Sequence, residues 1–275
     1  MEIGIFSRTY EHMPLEAIFR EMVSQGIRHT QFNLSSAGMD TLPAVMDEEK
    51  LMEIRELADR YGITMDALSG TFNMIDPDEG RREQGCRQFE TQCRIARFLD
   101  IPIVTLCTGS RHPADKWTWH PDNLTESAWS DLMRSTERVL RSAQDNGIIL
   151  GVETEASNII CTPEKARRYL DAVGSPNLKI IMDGANLFHK EEVPHMEQVL
   201  REAFDALGRD IVLAHAKDFS LTDGISFVAA GEGELDFSLY IRLLKTSGYN
   251  GPLVLHGLAV SQIEKSVAFL KRAMA

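Results

Sequence analysis

Residues 178–186 read LKIIMDGAN, a nearly continuous apolar run that ends in an acidic and an amide side chain. Such a run is typical of a parallel strand buried on both faces, because a half-solvated strand alternates apolar and polar residues. Seven further short runs, most of them rich in Ile, Val or Leu, recur on both sides of it. The eight predicted strands are Ile3–Phe6, His29–Phe32, Thr64–Leu68, Ile103–Leu106, Ile148–Val152, Leu178–Met182, Ile211–Ala214 and Leu253–Leu255.

Longer segments with helical periodicity separate these runs, as where Leu15, Ile18, Phe19 and Met22 share one face. The predicted helices are Pro14–Gln25, Glu48–Tyr61, Arg82–Phe98, Ser127–Asn146, Thr162–Val173, Met196–Leu207, Ser238–Gly248 and Ser261–Met274. Eight strand–helix units in 275 residues predict an α/β protein, a single (β/α)8 TIM barrel that spans residues 1–275 as one domain. An open doubly wound sheet is the alternative, but no G-x-G-x-x-G turn follows an early strand.

The charge balance restricts the class of partner. The formal net charge is −12, from 29 basic and 41 acidic residues. An acidic surface repels phosphate backbones and anionic lipid, so we expect neither nucleic acid nor a membrane as partner. No run approaches the ~18 apolar residues needed to cross a bilayer. The cysteines form no C-x-x-C pair, and Cys107 and Cys161 lie beside apolar runs as buried free thiols would. We therefore expect a soluble, cytoplasmic protein.

Two predicted connections are longer than the others, Thr108–Glu126 and Asp218–Asp236. Both follow strands, on the side where barrel enzymes build their active sites. The first contains Trp117, Trp119 and His120. Its aromatic residues could form a lid that excludes water, or the tryptophans could pin the loop to the barrel rim.

Polar residues follow four consecutive strands at the point where each strand ends: Glu153, Asp183, His215 and His256. Neighbouring strands lie about 4.8 Å apart, which brings such side chains within reach of one ion. Each residue alone is as easily a helix cap or a hydrogen-bonded core residue. Together they would form a buried cluster whose carboxylates repel unless a cation or a shared proton neutralises them. The four residues are therefore the predicted ligands of a divalent metal.

Several longer motifs agree with this arrangement. They are GVE at 151–153, MD at 182–183, HAKD at 215–218, GYNGPLVLHGL at 248–258, LCTGSR at 106–111 and WTWHPDN at 117–123. Together these motifs resemble the xylose isomerase-like TIM barrels, and within them the sugar phosphate isomerase/epimerase group. The resemblance runs over essentially the whole chain.

The resemblance implies a divalent metal, commonly Mn, Mg, Co or Zn, held by Glu, Asp, His and Glu from strands 5 to 8. Glu153, Asp183 and His215 match the first three ligands, whereas His256 stands where a glutamate is expected. A second departure is Asn186, where epimerases of the group often carry histidine. Replacing an oxygen ligand by nitrogen should shift the preference from Mg toward Mn, Co, Fe or Zn.

These departures bear on the chemistry that the resemblance implies. Two-base epimerases exchange a carbon-bound proton between the strand-5 and strand-8 glutamates, on opposite faces of the substrate. Without the second glutamate, either His256 lies off the metal and acts as acid/base together with Glu153, or the reaction needs no symmetric pair of bases. His256 cannot bind metal and accept a proton through the same nitrogen.

Other polar residues complete the predicted site. Lys217, two residues after His215, could stabilise a developing oxyanion or hold an anionic group of the substrate; the alternative is a salt bridge to Glu155 or Asp218. The candidate substrate-binding residues are Arg8, Asn73, Glu155, Asn186, Trp119 and His120.

The leading hypothesis is a metal-dependent isomerase or epimerase that acts on a small sugar, sugar phosphate or polyol. A lyase similar to the inosose dehydratases is the nearest alternative, since it needs one acid and one base. A barrel that only binds a ligand stays open, whereas an endonuclease IV type of nuclease is disfavoured by the net charge. Barrels of this group often pair, so we expect a homodimer from the resemblance, although no sequence feature indicates it.

Overall fold

The computed structural model describes residues 1–222 and 224–275. Its strands are β1 (Ile3–Phe6), β2 (His29–Phe32), β3 (Thr64–Ser69), β4 (Ile103–Leu106), β5 (Ile149–Glu153), β6 (Leu178–Asp183), β7 (Ile211–Ser220), β8 (Ser226–Ala229) and β9 (Leu253–Leu255). Its α-helices are α1 (Leu15–Ser24), α2 (Glu48–Tyr61), α3 (Glu79–Phe98), α4 (Glu126–Asn146), α5 (Pro163–Val173), α6 (Met196–Leu207), α7 (Phe237–Thr246) and α8 (Ile263–Met274). No helix in the described ranges is both long and apolar enough to span a bilayer.

The eight predicted strands close into a barrel. Strands β1 to β7 pair in sequence order, β7 pairs with β9, and β9 pairs with β1, all in parallel. The predicted (β/α)8 TIM barrel is thereby confirmed, with a helix after each barrel strand. That the chain forms one domain stays a prediction.

A small apolar layer fills the barrel interior below the ends of the strands. It consists of Ala67, Ile103, Ile181, Leu213 and Val254, from five different strands. Alternate residues of a strand point to the same face. The side chains two positions after Ile181, Leu213 and Val254 therefore also point inward, one level higher.

Gly151 makes room for this layer. A Cβ built on Gly151 would lie 2.8 Å from side-chain carbons of Ile181, closer than packed carbon atoms approach. The glycine thus lets β5 lie flat against the inner residues of β6, and Glu153 follows two positions later on the same inward face.

The seventh barrel strand is longer than predicted, because the sequence placed its end at Ala214 and a long connection at Asp218–Asp236. Strand β7 continues to Ser220 and pairs antiparallel with β8, with Lys217 opposite Ala229 and Phe219 opposite Phe227. The predicted loop Asp218–Asp236 is therefore largely a β-hairpin and a tight glycine-rich turn, with Asp223 outside the described residues.

Asp218 holds this turn together. Its carboxylate accepts hydrogen bonds from the backbone N–H groups of Phe219, Gly231, Gly233 and Leu235 at 2.8–3.1 Å. A Cβ on Gly233 would lie 2.2 Å from the Phe219 carbonyl oxygen, so only glycine fits there. Residues 231–235, which read GEGEL, thus form a cradle: a turn whose backbone N–H groups surround the one buried carboxylate.

We expect Asp218→Ala to destabilise the protein by at least ~3 kcal/mol, because it leaves four backbone donors without their charged acceptor. Urea denaturation followed by circular dichroism measures the loss. The matched control is Asp47→Ala, which removes an exposed cap of α2 that accepts one N–H group and should cost only ~1 kcal/mol. Equal losses in the two variants would contradict the cradle role.

Candidate metal centre

Three predicted ligands meet at the C-terminal end of the barrel. Asp183, His215 and His256 each offer a ligand atom, and these atoms lie within 4.8 Å of one another. The strand register produces this meeting, since Asp183 pairs directly with His215 and His256 follows Leu255, the partner of Ala216. Asp183 and His215 are fully buried.

The ring of His215 is held from two sides. Its Nε2 lies 2.8 Å from Gln31 Oε1 on β2, and donation to this oxygen leaves the lone pair on Nδ1. That Nδ1 lies 3.4 Å from both Asp183 Oδ2 and Glu153 Oε1. The hydroxyl of Tyr240 donates to the carbonyls of Met182 and His215, which fixes the ends of β6 and β7 side by side.

His256 is stacked between two rings. It lies parallel to His215, with centroids 4.9 Å apart and an interplanar angle of 5°, and Phe6 covers it at 5.2 Å. Stacking fixes the plane of an imidazole without using its nitrogens. Its Nδ1 is buried and has no hydrogen-bond partner within residues 1–222 and 224–275.

Glu153 lies beside this cluster and is tied to Asn186. The Asn186 Nδ2 donates to Glu153 Oε1 at 2.7 Å and to Glu155 Oε2 at 3.3 Å. The Asn186 Oδ1 accepts from Lys217 Nζ at 2.6 Å, and Lys217 also forms an ion pair with Asp183 Oδ2 at 3.1 Å. The Lys217 salt bridge therefore involves Asp183 rather than Glu155 or Asp218.

The electrostatics of the cluster follow from these contacts. Burial alone raises the pKa of Asp183, but Lys217 and His215 outweigh it and hold that pKa well below its usual range. Burial lowers the pKa of His215, but Glu153 and Asp183 raise it to about 9. A position that favours positive charge this strongly also suits a cation.

The pKa values of the neighbouring groups are also shifted, in directions set by their surroundings. Burial, together with the charges of His215 and Lys217, lowers the pKa of His256 to about 3, which keeps its imidazole neutral. Burial and the charge of Glu153 raise the pKa of Glu155 to about 7. For Lys217, burial is outweighed by Asp183 and Glu153, which raise its pKa.

The donor set fits a divalent metal. Asp183 supplies a carboxylate oxygen, and His215 and His256 supply buried ring nitrogens whose Nδ1 atoms have no hydrogen-bond partner among the described residues. Glu153 Oε1, 3.4 Å from His215 Nδ1, is a further oxygen within reach. Two nitrogens with one or two carboxylates suit Zn, Mn, Co or Fe better than Mg.

A cavity of about 510 Å³ lies above the cluster, within the range of small-ligand sites. Glu153, Glu155, Lys217 and His256 lie in its floor and walls. Of the predicted substrate-binding residues, Arg8 also lines it, half-exposed and paired with Glu11 at 3.2 Å.

Other predicted substrate-binding residues lie elsewhere. Asn73 lines a neighbouring cleft, and its amide bonds both the N–H and the carbonyl of Ser110. Asn186 is buried behind the cavity wall. Trp119 is half-exposed, and His120 accepts the Asp122 N–H as the cap of a short 3-10 turn; neither is among the described residues that line the cavity.

Hydrogen bonds from polar side chains hold the loop that carries Trp117 and Trp119. The Ser110 hydroxyl donates to the Thr118 carbonyl, and Asn158 Nδ2 donates to the Lys116 carbonyl. Trp117 and Trp119 are 49% and 48% exposed, and Trp117 lines the cavity. Whether the loop acts as a lid or is pinned by its tryptophans stays a prediction.

Sequence reasoning missed several residues that line the cavity, four of which stand out. Gln31 lies in the middle of β2, Lys116 precedes Trp117, and Phe6 and Phe227 form apolar parts of the wall. Only Phe6, at the end of β1, occupies a position that the strand-end rule could have found. Phe227 belongs to the hairpin that was not predicted.

Comparison with known proteins identifies the family of the barrel. The model of the family described as xylose isomerase-like TIM barrel matches residues 20–273. A D-psicose 3-epimerase from Enterocloster bolteae is 27% identical over 168 residues, which cover 58% of this chain and 54% of that enzyme. The match thus spans about half the length of this relative.

Solved structures share the fold. The 3-keto-D-glucoside 4-epimerase YcjR from E. coli superposes with a TM-score of 0.76 at 17% identity, and the alignment covers 99% of each chain. An IOLI protein with a bound zinc atom gives a TM-score of 0.73 at 15% identity, covering 99% of this chain and 96% of that one. At such identities the likeness concerns the barrel alone.

If Asp183, His215 and His256 hold one ion, Asp183→Asn and His256→Ala should each weaken binding of Mn²⁺ or Zn²⁺ by at least ~100-fold, since each removes a direct ligand. Isothermal titration of chelator-treated protein measures the affinity, and elemental analysis gives the stoichiometry. Asp205→Asn, an exposed carboxylate on α6, is the control and should bind as the unaltered protein does. Unchanged affinity in His256→Ala would remove that residue from the ligand set.

Proposed function

Because the chain belongs to the xylose isomerase-like TIM barrel family, we propose that it is a divalent-metal-dependent isomerase or epimerase acting on a small polyhydroxy carbonyl compound. The observation that carries the proposal is the convergence of Asp183, His215 and His256 below a polar cavity of about 510 Å³. The names of two relatives, a D-psicose 3-epimerase and a 3-keto-D-glucoside 4-epimerase, support this substrate class. The zinc atom named for the IOLI protein supports a metal.

Asp183, His215 and His256 would hold the metal, with Glu153 as a further ligand. A divalent cation bound there supplies Lewis acidity that polarises a substrate oxygen and acidifies the adjacent C–H group. Glu153 is the residue that removes or returns the carbon-bound proton, since it lies in the cavity next to the cluster. Lys217, whose ammonium is buried and oriented by Asp183 and Asn186, stabilises negative charge that develops on the substrate.

The position of the carboxylates limits the reaction further. Among the described residues that line the cavity, the carboxylates are Glu153 and Glu155, and both belong to the end of β5. Strand β1, with Phe6 and Arg8 at its end, lies across the barrel from β5. Carboxylates on one side of the cavity transfer protons on one face of the substrate. This suits an aldose–ketose isomerisation better than an epimerisation, which needs proton transfer on both faces.

A dehydration is the second candidate, and the same one-sided arrangement favours it. A lyase needs one base for the proton and one acid for the departing hydroxyl. Glu153 and Glu155 are two carboxylates in one cavity, and burial together with the charge of Glu153 raises the pKa of Glu155 to about 7, which suits it to donate a proton. A barrel that only binds its ligand would need neither carboxylate for catalysis.

The cavity walls indicate a small, mostly hydroxylated ligand. Trp117 and Phe227 provide apolar surface for C–H faces of a sugar. Arg8 and Lys116 are the rim cations that could meet an anionic group of a sugar phosphate. Arg111, by contrast, is committed to Asp131 and to the Ile75 carbonyl. Pairing into a homodimer and a cytoplasmic location stay predictions.

The proposal predicts turnover when metal-loaded protein is incubated in D₂O with aldoses, ketoses, their phosphates and inososes. Isomerisation or epimerisation should give a product of unchanged composition that carries solvent deuterium, whereas dehydration should give one that has lost water. NMR and mass spectrometry separate these outcomes. No reaction with any member of the panel in the presence of bound metal would favour the binding-only alternative.

Glu153→Gln should lower kcat on the accepted substrate by about 10²–10⁴-fold, since it removes the proton-transferring group but keeps its shape. Glu197→Gln, a surface carboxylate paired with Arg201 on α6, is the matched control and should keep full activity. A Glu153→Gln enzyme with normal kcat would assign the proton transfer to another residue.

A further inference from the structure

Asn186 is the neutral group at the centre of the charged side chains of the site. It lies in the 3-10 turn Gly184–Leu187 directly after β6. Asp183 begins this turn, because its Oδ1 accepts the N–H of Ala185 at 3.0 Å. The metal-ligand candidate and Asn186 are therefore placed by one turn, and Asn186 is 5% exposed.

Both halves of its amide are engaged with charged partners. The NH₂ group donates to Glu153 and Glu155, and the carbonyl oxygen accepts from Lys217 at 2.6 Å. The amide cannot adopt the flipped orientation, because its carbonyl oxygen would then face two carboxylates and its NH₂ group would face an ammonium. These contacts leave little hydrogen-bonding capacity for a substrate hydroxyl.

Without the amide, the Lys217 ammonium, which already pairs with Asp183 at 3.1 Å, would also pair with Glu153 or Glu155. Lys217 is a buried cation, and Glu153 and Glu155 are partly buried carboxylates of the same pocket. Direct ion pairs are strong in such a setting. An ammonium bound to Glu153 would withdraw that carboxylate from the metal position and place positive charge beside it.

We propose that Asn186 is a positioning residue, a neutral spacer that keeps the Lys217 ammonium apart from Glu153 and Glu155 and thereby leaves Glu153 available to the metal. The inference rests on the proposed function for its metal. It replaces the substrate-binding role that the sequence predicted for Asn186. The consequence is that loss of the amide acts on metal binding through Lys217.

The test uses Mn²⁺ alone as the probe, with affinity measured by isothermal titration. Asn186→Ala should weaken Mn²⁺ binding by about 10–100-fold, the range seen when groups that orient metal ligands are removed. Asn177→Ala is the matched control: it removes the amide that donates to the Ile148 carbonyl, at the opposite end of β5 and β6, and should leave Mn²⁺ affinity unchanged.

A double-mutant cycle separates the spacer role from a merely structural one. Lys217→Met should raise Mn²⁺ affinity at least about tenfold more in the Asn186→Ala background than in the unaltered protein, because only there does the ammonium occupy Glu153. Equal effects of Lys217→Met in both backgrounds would overturn the proposal while leaving the metal site intact.

A crystal structure of Asn186→Ala without metal gives a second readout that does not depend on the proposed function. Lys217 Nζ should move into salt-bridge distance of Glu153 or Glu155, and an unmoved ammonium would overturn the spacer role. If that variant fails to fold, Asn186→Asp serves instead, since it keeps the acceptor for Lys217 but repels Glu153, whose carboxylate should rotate away. Absence of Mn²⁺ binding by the unaltered protein would reject the proposed function, and the crystal structures would still decide the spacer role.

Discussion

The rest of the site depends on the burial of one carboxylate, that of Asp183, which has no exposed surface. A buried charge left without partners costs several kcal/mol. The protein offsets this cost with the Lys217 ammonium at 3.1 Å, the Ala185 N–H group and the nearby His215 ring. Each of these partners is itself fixed by the ends of β6 or β7, so the electrostatics of Asp183 and the closure of the barrel support each other.

The fold could be read from the sequence because its strands are buried on both faces. Seven of the eight barrel strands lie within one residue of their predicted bounds, as with β1 at Ile3–Phe6 and β9 at Leu253–Leu255. The end of β7 could not be read in this way. After Ala214 the chain reads HAKDFS, in which neither a continuous apolar run nor a regular alternation is present. Its pairing with β8 depends on the Asp218 carboxylate meeting N–H groups 13 to 17 residues later. Apolar periodicity carries no information about such contacts.

The cluster of candidate metal ligands was predictable for a related reason. Alternation along a strand and closure of the barrel send the side chains of Asp183, His215 and His256 to one place, whatever the loops do. The loops were less predictable: Trp117 reaches the cavity and Trp119 does not, because Ser110 and Asn158 bond particular carbonyls within the loop. The sequence predicted Asn186 as a residue of the site but gave it a substrate-binding role. Its charged partners come from two other strands, and such contacts cannot be read from the sequence.

The histidine at position 256 is consistent with the charge of the whole site. When Glu155 is ionised, above its pKa of about 7, Glu153, Glu155 and Asp183 contribute three negative charges, and Lys217 contributes one positive charge. This leaves a surplus of two negative charges, which one divalent cation balances. A glutamate in place of His256 would leave a surplus negative charge in a buried pocket, which is unfavourable in a low dielectric. Glu155 and His256 can therefore be understood together: the second carboxylate, just after β5, is compatible with a divalent ion when the candidate ligand after β9 is a neutral imidazole.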